Sequence, residues 1–170
     1  MANNTLVQTY EKVFLFIFVI YCIWNHFFTH ERWVPILDSF NLAIHEAGHP
    51  FFAMIHSDLM IYGGTIFQLI IPLLFIFYFK KHQNSIAFSF SLIWFAENLF
   101  NIARYVEDAR MTALPLAGSR EAIHDWNYIL TTWDLLDYDT MFGNILMSIG
   151  GVIIIPVSYT HLRAHETRGN

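Results

Sequence analysis

The 170-residue chain is 55% hydrophobic and 18% aromatic, and only 14% of it is charged. Soluble domains carry about 25% charge, so the deficit argues against one and for a polytopic membrane protein. A formal net charge of −5 supplies no basic surface, which removes nucleic acid as a partner. The single cysteine, Cys22, has no partner for an internal disulfide and lies in an apolar run.

In chain order, a polar lead over 1–12 precedes an almost unbroken apolar run, Val13 to Phe28. That run is near the lower length limit for crossing a bilayer, and Trp24, Phe27 and Phe28 suit its interface. No small-residue cleavage site follows, so a retained first transmembrane helix is expected rather than a signal peptide. A polar link over 29–38 leads to a second helix over 39–56, with Asp38 or Ser39 as its cap. Pro50 lies inside it, and a kink is expected there. A turn over 57–64 ends in Gly63-Gly64. An apolar helix over 65–79 follows, containing Gln68, whose amide is expected to face protein rather than lipid.

The helix over 85–106 is apolar in its first half. Its second half carries Glu97, Asn101, Arg104 and Asp108, spaced four, three and four apart and therefore on one face. Ionisable groups at membrane depth face a bundle interior or a wet cavity. The stripe reads either as an internal seam, with Arg104 pairing Asp108, or as the lining of a cavity together with Gln68. A loop over 111–119 and a shorter helix over 120–136 follow, with His124-Asp125-Trp126 in its first turns. Asp134, Asp137 and Asp139 read as a solvated rim. A last apolar helix over 139–156 carries Gly143 and Gly150-Gly151, which permit close packing. The fold class expected is all-α, a membrane bundle of about five transmembrane helices plus one shorter helix, in a single domain over 1–156.

The stretch Val157 to Thr167 breaks this pattern with a polar, histidine-rich sequence. It resembles a translated transposase-type sequencing adapter. Residues 157–170 are therefore expected to be a non-native tail, and His161, His165 and Glu166 receive no role as ligands.

Chemistry enters at His45-Glu46-Ala47-Gly48-His49, which fits H-E-x-x-H. Positions i and i+4 lie on one helix face, so both imidazoles can close on one zinc ion. Glu46 is then placed to take a proton from an attacking water. A catalytic zinc needs a third protein ligand. His56 lies about 10 Å further along the helix and is too far. The remaining candidates, in order, are His124, Asp108 and Asp125. Contact with His124 or Asp125 requires their segment to fold back into the bundle. Lys and Arg are divided almost evenly between the two sides, so membrane orientation stays open.

The H-E-A-G-H run in an apolar helix, followed by Gly63-Gly64 and further spans, resembles the site-2-type (M50-like) intramembrane metalloproteases. The resemblance is specific over His45 to His49 and looser beyond. It implies zinc at His45 and His49, base chemistry at Glu46, a membrane-associated peptide or protein as substrate, and a place in the bacterial inner (plasma) membrane. That group takes an aspartate in a Leu-Asp-Gly context as third ligand, and no Leu-Asp-Gly occurs in this chain. The expected function is a zinc-dependent membrane-embedded peptidase. Its rivals are a non-hydrolytic metal-binding or transport protein and a structural membrane protein with a degenerate motif.

Overall fold

The computed structural model describes residues 2–117 and 123–163. Among them are six α-helices and no strand: α1 (Ala2–Phe28), α2 (Leu37–Ala53), α3 (Met60–Lys81), α4 (Ser85–Glu107), α5 (Asp125–Thr132) and α6 (Asp139–Arg163). Single 3-10 turns, Ser57–Leu59 and Leu136–Tyr138, lead into α3 and α6. Four stretches are long and apolar enough to cross a membrane: Thr9–Phe28, Ser57–Lys81, Ser85–Glu107 and Leu136–Ile155. That is consistent with a membrane protein. The motif helix α2, at 17 residues, falls outside this set.

The bundle is organised around α4, the most buried of the four long helices. It packs chiefly against α6 and α3, and α2 packs chiefly against α3. One apolar cluster joins α1, α4 and α6 through Leu15, Val19, Ile93, Ala96, Phe100 and Ile154. A second joins α4 to α5 through Ile102, Val106, Ala109 and Leu130, with Leu69 and Trp126 against it. Outward faces remain apolar: Phe14, Ile17, Phe77, Val152 and Ile155 are exposed, as lipid-facing residues are.

Several boundaries differ from the sequence reading. The polar lead is helical from Ala2 and continuous with α1. Gly63 and Gly64 do not end a turn but lie in the first turns of α3. Their role is close approach. A Cβ on Gly48 would meet the Gly63 backbone and the Phe67 side chain, and one on Gly63 would meet the Gly48 carbonyl and Phe52. The two glycines let α2 and α3 cross almost backbone to backbone, with Phe51 and Phe67 stacked beside them at 5.1 Å. On α6, Gly143 meets Glu107 and Gly150 meets Phe100, whereas Gly151 faces open space. Asp139 is not part of a solvated rim. It is 1% exposed and is held by Arg110 at 2.7 Å, while Asp134 and Asp137 are exposed as expected. The helix anticipated over 120–136 begins at Asp125; residues 118–122 lie outside the described residues. Of the anticipated tail, 157–163 continue α6 and 164–170 lie outside the described residues.

Candidate metal centre

The buried residues of α2 are Asp38, Asn41, His45 and Gly48. Their spacings of three, four and three trace one helix face, and that face meets α3. There Gly64 admits the His45 ring: a Cβ on it would come within 2.5 Å of His45 Nε2. One turn later Gln68 Oε1 accepts from His45 Nδ1 at 3.1 Å. The Gln68 amide is fixed in turn, donating to Asn101 Oδ1 of α4 at 3.0 Å. His49 is half-buried, and its Nδ1 donates to the Met60 carbonyl at 2.8 Å. Both imidazoles therefore carry their proton on Nδ1, and both turn Nε2 toward a single atom. That atom is Asp125 Oδ2, 2.9 Å from His45 Nε2 and 3.3 Å from His49 Nε2.

Three lone pairs facing one another repel, so a cation must lie among them: a proton on an imidazole, or a metal ion. The donor set suits the metal. The ligand atoms of His45, His49 and Asp125 all lie within 4.8 Å of one another. Ligands about 2.0–2.1 Å from a tetrahedral zinc are roughly 3.3 Å apart. A ligating histidine normally donates its other ring N–H to a carbonyl or carboxylate, and here Gln68 and Met60 take those protons. Burial pushes the Asp125 carboxyl up, but the two histidines beside it outweigh burial and hold it below the usual carboxylate range. An ionised carboxylate is what a metal needs.

Of the three candidates for the third ligand, the structure brings Asp125 to the histidine pair and places His124 and Asp108 elsewhere. His124 is the N-cap of α5, with extended backbone (φ −75°, ψ 108°), and its Nδ1 accepts the Asn127 N–H. Its Nε2 then carries the proton and lies 3.4 Å from Asp108 Oδ2. Burial lowers the His124 pKa. Asp108 accepts the N–H groups of Ala113 and Leu114 at 3.0 and 2.9 Å. Both residues thus organise the connection between α4 and α5. His56 caps the 3-10 turn before α3 and is exposed.

A cavity of about 760 Å³ opens onto the cluster. Its lining includes His45, Glu46, His49 and Asp125, together with Gln68, Asn101 and Arg104 as anticipated. Glu46 is exposed at its edge and forms no ion pair among the described residues. Tyr105 was not anticipated. Its ring lies 5.8 Å from that of His45 and 4.2 Å from that of His124, and its hydroxyl accepts the Asp125 N–H at 3.1 Å. The sequence signal was its place four residues after Asn101, on the same helix face.

Glu97 departs from the expected cavity lining. It is fully buried with His26, Asp38 and Asn41 between α1, α2 and α4. Its Oε1 lies 3.2 Å from His26 Nε2, and its Oε2 accepts from Asn41 Nδ2 at 2.6 Å. Trp94 Nε1 donates to Asn41 Oδ1 at 2.8 Å, and the Val34 N–H donates to Asp38 Oδ2 at 2.6 Å. His26, Asp38 and Glu97 also have metal-like spacing, but the tautomer logic runs the other way. His26 Nδ1 has no hydrogen-bond partner among the described residues. Ligation through Nε2 would leave a bare N–H buried there, at about 1–3 kcal/mol. Donation from Nε2 to Glu97 leaves only a lone pair. This group is a hydrogen-bonded lock between helices.

No protein-family model, no curated protein and no solved structure matches this chain.

Proposed function

We propose that the chain is a zinc-dependent peptidase embedded in a membrane, the bacterial inner membrane on the resemblance drawn above. The reading treats α2 as a fifth membrane-embedded helix. At 17 residues it is about 25 Å long, slightly less than the hydrocarbon core. The observation that carries the proposal is the convergence of His45 Nε2, His49 Nε2 and Asp125 Oδ2 beside the free carboxylate of Glu46. Zinc held by those three residues supplies Lewis acidity, lowering the pKa of water toward 7 and polarising a carbonyl. Glu46, on the turn that carries both histidines, takes the proton of the attacking water and returns it to the leaving amine. Gln68 and Met60 hold the imidazole tautomers through this exchange. Tyr105 holds the start of α5, and with it Asp125. Glu46 is exposed at the edge of the cavity, which gives water and an extended peptide a common route to the site.

The experiment is Glu46→Gln in purified, zinc-loaded protein. The expected outcome is unchanged zinc content with peptide hydrolysis reduced by at least 100-fold, in keeping with a lost general base. Hydrolysis at the wild-type rate would refute the peptidase reading. A metal-binding or transport protein using the same ligands is the second reading. It is favoured by the completeness of the ligand set, which does not depend on Glu46.

A further inference from the structure

Beyond the metal centre, one cationic side chain in the cavity lining, Arg104, has no ion-pair partner among the described residues. Arg104 lies on α4 between Asn101, which fixes Gln68, and Tyr105, which touches His45. It is half-buried and lines the same cavity as His45, Glu46, His49 and Asp125. The acidic residues around it are engaged elsewhere or turned to solvent. Glu107 pairs with Arg32 at 2.6 Å, Asp108 holds backbone amides, Asp38 accepts the Val34 N–H, and Glu31, which lines the same cavity, is exposed and forms no ion pair with Arg104 among the described residues. The anticipated pair between Arg104 and Asp108 does not form. Arg104 makes no hydrogen bond or ion pair among the described residues; its guanidinium lies over the Trp33 ring, 5.7 Å from the centroid.

A guanidinium withdrawn from water without a counter-ion is costly, and in membrane proteins such groups mark ligand paths. Its five donors match a carboxylate bidentately, and stacking on an aromatic face orients the plane without using those donors. We propose that Arg104 receives a carboxylate of the substrate, oriented by Trp33, while the scissile bond lies at the metal centre. This deepens the peptidase reading and rests on it for the substrate class. Trp33 and Arg104 line that end of the cavity together, so a carboxylate there meets an uncommitted guanidinium. The carboxylate is either the peptide's C-terminus or an acidic side chain.

The test is calorimetric binding to zinc-loaded Glu46→Gln full-length protein in detergent. The probes are an N-acetylated apolar tripeptide as free acid, the same peptide amidated, and an amidated peptide carrying one Glu. The free acid is expected to bind at least tenfold tighter than its amide. Arg104→Gln should abolish that preference while zinc content and thermal midpoint stay unchanged, and Arg104→Lys should keep part of it. Tight binding of the Glu-bearing amide assigns the site to an acidic side chain, and weak binding assigns it to the C-terminus. Equal binding of all three peptides overturns the proposal, as does a carboxylate preference that survives Arg104→Gln. Should Arg104→Gln fail to fold, the wild-type ratio and Arg104→Lys decide. A tenfold acid preference with no hydrolysis by the wild-type protein would sustain the Arg104 assignment and defeat only the peptidase reading.

Discussion

Each imidazole of the candidate centre has one nitrogen committed and one free, and the committed nitrogens name the supporting residues. Gln68→Leu removes the acceptor for His45 Nδ1 and frees the ring to rotate. Loss of such a partner costs 10–100-fold in metal affinity, so competition with a chelating dye should show zinc affinity falling by that factor while helix content holds. Asp108→Ala behaves differently. It removes the acceptor of the exposed Ala113 N–H and the half-buried Leu114 N–H and should cost about 1 kcal/mol of stability with zinc stoichiometry retained. The pairing of His45 with Asp125 across 80 positions was not legible in the sequence, and the reason is local. His124 and Asp125 are neighbours with equal claims to ligate zinc. Which one faces α2 depends on where the helix starts. Reading the helix from residue 120 puts both inside it. Because His124 is the extended cap, Asp125 becomes the first helical residue and turns inward.

Among the elements, α2 and α3 form the unit that matters most. The His-x-x-x-His register, the amphipathic stripe of α4 and the long apolar runs were all legible, because period and length alone report them. The crossing of α2 on α3 was not. Gly63-Gly64 reads equally as a turn or as a packing surface, and only the partner helix decides between them. Gly64→Ala drives a methyl group into the His45 ring. It should cost about 1–3 kcal/mol as overpacking and displace the zinc site, read as lost metal content at unchanged expression. On α6 the same substitution separates neighbours. Gly150→Ala meets Phe100 and should destabilise, whereas Gly151→Ala meets nothing. The second should be neutral or stabilise by up to about 1 kcal/mol through helix propensity. Thermal unfolding of the two variants in one detergent checks the contrast.

At the scale of the molecule, four apolar helices carry a polar interior that includes a group able to hold a metal, His45, His49 and Asp125, and a hydrogen-bonded group around Glu97. Acid should release the metal, because a ligating imidazole must be neutral and protons compete with the metal for it through the mildly acidic range. Asp125, held below the usual carboxylate range by the two histidines, stays ionised through that window and does not set it. Zinc retention is therefore expected to fall as the solution is acidified, ahead of any loss at Asp125. The measurement that bears most directly on the central claim is zinc stoichiometry of three purified proteins side by side: wild type, Asp125→Ala and His124→Ala. The account predicts one equivalent in the wild type, almost none in Asp125→Ala, and one equivalent in His124→Ala despite the loss of about 1 kcal/mol from its cap. Zinc retained by Asp125→Ala and lost from His124→Ala, or a wild-type protein that binds none, would contradict it.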